Sequence, residues 1–150
     1  NHALGRVTPF ETRGHVALAG TFGYELDITK IPEEDRQQIP AQTAMYHKYN
    51  DLIRRGDYWR IASYLENGSY DCYMVVSKDK KEALVTYVQV LSRPNFHSRR
   101  VRLKGLVPEN RYRIEETGEE LGGDVLMQAG LLVAPLWGDY RSRLIHLTEV

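Results

Sequence analysis

A chain of 150 residues and 17.3 kDa is long enough for one ordinary domain with its own core, and too short for a complete eightfold β/α barrel, which takes about 250 residues. Twenty Lys and Arg balance twenty Asp and Glu, so no net field draws nucleic acid or an anionic membrane. No apolar run approaches the ~18 residues of a membrane helix, no charged-then-apolar leader is present, and the single Cys72 can form no internal disulfide. A reduced, cytoplasmic setting is the expectation, and the absence of an initiating Met reads as the start of a piece of a longer protein.

Residues 8–28 read as strand and loop, with Pro9 and Gly14 as breakers. Within them, residues 16–28 are a run of mostly apolar and small residues punctuated by glycines, which predicts a buried strand or tight turn against a large neighbour. Pro32 suits the first turn of a helix, and Glu33, Glu34 and Asp35 complement the positive end of its dipole. Pro40 then predicts a break or kink before the main helix. Over residues 41–55, Met45, Tyr49, Leu52 and Ile53 recur at i, i+4, i+7 and i+8, one stripe of an amphipathic helix. Arg54 and Arg55 occupy its last turn and Gly56 ends it.

Beyond Gly56 the helical period gives way to strand signals. Residues 72–77 and 83–91, rich in Val and Tyr, read as two antiparallel strands around the charged turn 78–82, with Cys72 a buried strand thiol. Val101 and Leu103 alternate with Arg100, Arg102 and Lys104, and Tyr112 and Ile114 alternate with Arg111 and Arg113, so both segments predict half-buried strands. Thr117-Gly118 reads as a hairpin turn into residues 119–121, residues 124–130 as a short helical or loop insertion, and residues 143–149 as a terminal strand. Together these imply an antiparallel sandwich or Greek-key sheet, with a boundary near Gly56.

Several phrases carry a resemblance. They are Arg-Val-Thr-Pro at 6–9, Phe-Gly-Tyr-Glu-Leu-Asp at 22–27, Arg-Leu-Lys-Gly-Leu at 102–106, and the longer runs at 122–131 and 136–145. In this order they resemble the C-terminal part of bacterial α-galactosidases of glycoside hydrolase family thirty-six. The resemblance implies an α+β chain: residues 1–56 as the terminal β/α piece of a TIM-type barrel, and residues 57–150 as an all-β, Greek-key-like antiparallel sandwich. It further implies a parent enzyme that hydrolyses terminal α-linked galactose, as in melibiose and raffinose, with retention. That parent would need the rest of the barrel as a partner, and the family's habit is a homotetramer.

A retaining mechanism needs two carboxyl groups about 5–5.5 Å apart. The resemblance implies two aspartates on earlier barrel strands, and neither of their motifs occurs here, so no catalytic, cofactor-binding or metal-binding residue is assigned. Glu25 and Asp27, read at a strand end, are the nearest candidates for the rim of a sugar pocket; capping of local backbone is the preferred role. His2, His15, His47, His97 and His146 show no metal-ligand spacing, and no Gly-rich phosphate loop follows a strand. The basic residues at 99–104 and 111–113 read as a solvated face paired with Glu115, Glu116, Glu119 and Glu120. Trp59 and Trp137 are expected in a core or interdomain contact; the alternative function, a stand-alone carbohydrate-binding sandwich, would use one of them as a stacking platform.

Overall fold

The computed structural model describes residues 5–95 and 98–150. Pro9, at φ −51° and ψ 140°, turns the chain into helix α1 (Phe10–Ala17). Of the buried strand or tight turn expected over residues 16–28, no strand forms: Val16 and Ala17 finish α1, and turns, bends and coil follow. Gly14 looks like a breaker in the sequence, but a Cβ there would lie 2.6 Å from the Gln42 side chain, so the helix needs its smallest residue at that point. Leu18 is buried, while Val16, Leu26 and Ile28 remain exposed. Aromatic contacts tether the coil instead of a ladder: Phe22 stacks on Tyr46 with centroids 5.3 Å apart, and Tyr24 stacks on Phe10 at 6.0 Å.

The acidic segment forms the short α2 (Glu33–Arg36), and α3 (Ile39–Arg55) follows after a two-residue break. Pro40 lies in the first turn of α3, where its missing N–H leaves no hydrogen bond unmade, so the break falls just before the proline. The stripe read from periodicity is the buried face. Tyr49 and Leu52 pack with Val75 and Leu84, and Met45, Ile53 and Leu144 border them. Full burial of one such side chain is worth about 1.5–3 kcal/mol, and here it fastens helix to sheet.

The remainder is dominated by an antiparallel sheet of six strands. They are β1 (Asp57–Ala62), β2 (Tyr70–Val76), β3 (Glu82–Gln89), β5 (Arg111–Ile114), β6 (Glu120–Gly122) and β8 (Arg141–Glu149), in the order β1-β2-β3-β8-β5-β6. The last strand in the chain thus lies inside the sheet, between β3 and β5. A one-turn helix α4 (Tyr64–Asn67) joins β1 to β2; Gly68, at φ 66°, ends it in the left-handed region that glycine tolerates. A second, two-stranded sheet pairs β4 (Arg99–Val101) with β7 (Leu131–Val133). Between β6 and β7 the expected insertion is helical, as α5 (Gly123–Val125) and a π-helical turn at Leu126–Gly130.

Strand alternation divides the large sheet into two faces. Cys72, Met74 and Val76 of β2 pair with Tyr87, Val85 and Ala83 of β3, and Val85 and Ala83 in turn pair with Ile145 and Leu147 of β8. All of these face Val101, Leu103, Leu106, Leu126, Leu131 and Val133 in the main core. The opposite residues, Val75, Leu84 and Leu144, face α3. β3 is covered on both sides, which is why its sequence is nearly continuous in apolar residues rather than alternating. The molecule is therefore α+β: helices, a six-stranded sheet, and a second small sheet closing the sandwich. Tyr112 locks the layers from inside, donating its hydroxyl to the Lys80 carbonyl at 2.9 Å and accepting from the Val107 N–H at 3.1 Å.

Candidate functional site

Glu25 and Asp27 lie on no strand. Both sit in exposed coil before α2. Asp27 accepts from the Thr29 hydroxyl at 2.6 Å and the Thr29 N–H at 3.1 Å, and pairs with Lys30 at 3.2 Å. These bonds hold its carboxyl below the usual range. Asp27 therefore holds its own local backbone, in coil rather than at a strand end. Glu33, Asp57, Asp79 and Glu115 are likewise held down by neighbouring hydrogen-bond donors, with Arg36 first at Glu33 and Lys78 first at Asp57. A glycosidase acid needs the opposite, a carboxyl whose proton is retained near neutrality.

The polar chemistry that the chain does bury lies where α1, α3 and β8 meet. Ser142 Oγ is 2.8 Å from Thr12 Oγ1 and 2.8 Å from His15 Nδ1. Gln42 of α3 donates to the Phe10 carbonyl at 2.9 Å and accepts from the Tyr24 hydroxyl at 2.9 Å. Beside them opens a cleft of about 410 Å³ whose lining includes Glu11, His15, Lys48, Tyr49 and Arg143. Burial lowers the proton affinity of His15, opposed only by the charge of Glu11. A Ser–His contact suggests nucleophilic catalysis, but that needs a group orienting the imidazole and donors for an oxyanion. Here the serine is shared with Thr12 and is buried, and the arrangement joins two helices to a strand. Nothing in the sequence pattern signals this clasp, because its members are polar and up to 130 residues apart.

His146 donates its backbone N–H to Glu116, and its ring nitrogen Nε2 lies 2.7 Å from Glu82. His47 is exposed, and His2 and His97 fall outside the described residues. Among the described residues no group of three His, Cys, Asp or Glu could hold a metal ion, and no helix is long and apolar enough to cross a membrane. Cys72 is buried in β2, and burial pushes its thiol up to about 12, so it is no nucleophile. Several of the basic residues are engaged within the chain. Arg113 pairs with Glu120 at 2.8 Å, Arg99 lies 4.1 Å from the Tyr70 ring centroid, Arg100 donates to the Gly130 carbonyl, and Lys104 donates to that of Arg60.

Neither tryptophan is fully buried within this chain. Trp59 covers Gly105, where any Cβ would strike the indole at 2.4 Å, yet it stays 37 % exposed. Trp137 is in no core, being 83 % exposed.

Residues 70–147 match the profile of the glycosyl hydrolase family 36 C-terminal domain, and residues 1–56 match the melibiase profile. With the helical segment and the antiparallel sandwich in that order, the class is that of the glycoside hydrolases. The chain belongs to glycoside hydrolase family 36. It is 43% identical over its whole length to the α-galactosidase AgaA of Geobacillus stearothermophilus, of which it covers 20%. It is 39% identical to the bifunctional α-galactosidase/sucrose kinase AgaSK of Mediterraneibacter gnavus, of which it covers 16%. Among solved structures, an AgaA variant in complex with raffinose superimposes on the entire chain with a TM-score of 0.94 at 42% identity, and the chain covers 21% of it. The chain thus spans about a fifth of the length of these relatives.

Proposed function

We propose that this chain is the C-terminal part of a retaining α-galactosidase that releases terminal α-linked galactose from oligosaccharides such as melibiose and raffinose. In this reading residues 1–56 complete the catalytic barrel and residues 57–150 form the sandwich that braces it. The carboxyl pair is supplied by a preceding part of the same protein. What supports the reading is the end-to-end superposition on an α-galactosidase solved with raffinose, at an identity well above that at which fold alone is shared. The local hydrogen bonds that tie Asp27 to Thr29 support a scaffolding role for that residue.

Mechanistically, the chain's contribution is positional. Catalysis by two carboxyl groups about 5 Å apart tolerates little misplacement, and a barrel whose closing segment is loose loses rate without losing a reacting group. The Thr12–Ser142–His15 and Gln42 contacts, with the Tyr49 and Leu52 face, fix the helical segment to the sheet. A homo-oligomer, on the family pattern a tetramer, and a cytoplasmic location complete the proposal. The experiment is to express the gene's full product, supply melibiose, and follow the anomer first released by proton NMR. Release of α-galactose supports the reading; β-galactose first, or no hydrolysis of any α-galactoside, refutes it.

A further inference from the structure

β3 ends and β8 begins at the same edge of the sandwich, where Gln89 pairs with Arg141. The segments beyond them, residues 90–95 and 134–140, are laced together: the Ser92 N–H donates to Asp139 at 2.7 Å and the Tyr140 N–H to the Val90 carbonyl at 3.3 Å. Gln89, only 2% exposed, donates its amide to the carbonyls of Leu136 and Gly138, both at 2.8 Å. These carbonyls flank Trp137. A buried side chain thus fixes the backbone on either side of an indole that is itself 83% exposed. An indole so exposed adds little to folding, whereas a rigidly presented aromatic plate lowers the ordering cost of binding a ligand.

A cleft of about 580 Å³ is lined by Pro135, Leu136 and Trp137 together with Ser92, Arg93, Pro94 and Asn95. Its volume lies within the roughly 300–1,000 Å³ of small-molecule sites. Arg93 is pre-positioned by a 3.0 Å hydrogen bond to the Asn67 carbonyl. The lining contains no carboxylate among the described residues; it offers a flat ring, two prolines, and hydroxyl, amide and guanidinium groups. A pyranose matches this set, with an apolar C–H face for the indole and a rim of hydroxyls for Ser92, Arg93 and Asn95.

We propose that the Trp137 cleft is a binding site for galactose-containing oligosaccharides. The preference for galactose rests on the α-galactosidase reading. It is also the sugar whose axial 4-hydroxyl clears one ring face for stacking.

The test uses the 150-residue chain carrying Trp59→Phe, which leaves Trp137 as the sole indole of the two. Melibiose and raffinose are titrated against its fluorescence, with maltose as the glucose comparator. A saturable change with the galactosides, absent with maltose and weakened at least about tenfold in Trp137→Ala by ligand-observed NMR, is the expected result. Trp137→Tyr should retain most of the binding. Equal response to maltose overturns the galactose assignment. No response to any sugar overturns the site, and if Trp137→Ala then shifts the mass by light scattering, the surface joins copies of the chain. The readout is binding and not turnover, so failure here leaves the hydrolysis experiment on the full gene product to stand or fall separately.

Discussion

Replacing Gly14 by Ala sets two effects of known sign against each other. In an exposed helix interior the change is worth about 1 kcal/mol in favour of folding. Here the new methyl would lie 2.6, 2.7 and 2.9 Å from Cδ, Nε2 and Oε1 of Gln42. A free glutamine would swing aside, but this one is 6% exposed and holds the Phe10 carbonyl and the Tyr24 hydroxyl at 2.9 Å each. Moving it leaves a buried carbonyl unpaired, at about 1–3 kcal/mol, and weakens a second bond that water can partly replace. The expected outcome of Gly14→Ala is therefore a net loss of about 1–3 kcal/mol, read as a lower urea midpoint at unchanged slope. In a Gln42→Ala background the obstruction is gone and the same substitution should stabilise by up to about 1 kcal/mol, giving a coupling of about 2–4 kcal/mol. A rise in midpoint for Gly14→Ala in the native background would refute the clasp between α1 and α3.

Two further outcomes follow from buried titrating groups. Burial lowers His15 below its ordinary 6.5, so the unfolded chain binds its proton more tightly; the stability this confers is full above pH 6.5 and declines as pH falls toward the lowered native value. Urea midpoints between about pH 5 and 7 should show this slope and lose it in His15→Gln; a slope of opposite sign contradicts the burial of the neutral ring. Cys72, with its thiol pushed up to about 12, should resist maleimide in the folded chain at pH 7.5 and react in denaturant; native labelling at the rate of a free thiol would place it outside the sheet.

The parts legible in the sequence are those where burial follows a single period. The Met45, Tyr49, Leu52 and Ile53 stripe is buried because one helix face meets one sheet. The β2–β3 hairpin is legible because its turn is charged and its strands are covered by apolar neighbours. α1 escaped because the residues it buries include Thr12, Gly14 and His15, whose partners are polar and distant, so hydrophobic periodicity carries no trace of them. β1 escaped as an edge strand with three exposed residues in a row, and β7 because three residues are too few for alternation to register. Trp137 lies outside the core formed within this chain, and the backbone on either side of it is held by Gln89, 48 positions away, a contact that only the strand register creates. The strand-and-loop reading of residues 8–28 set Glu25 and Asp27 at a strand end, whereas the structure has both in exposed coil.

Under the proposed function the chain serves an α-galactosidase as scaffold, not as bearer of its catalytic carboxyls. The most direct measurement is turnover of a chromogenic α-galactoside by the purified 150-residue chain, beside its Glu25→Gln and Asp27→Asn variants. The account predicts no hydrolysis above the uncatalysed rate in any of the three, because losing both members of a retaining pair forfeits most of a rate enhancement of at least about 10⁶-fold. Turnover by the chain that survives purification to homogeneity and disappears in either variant would contradict it.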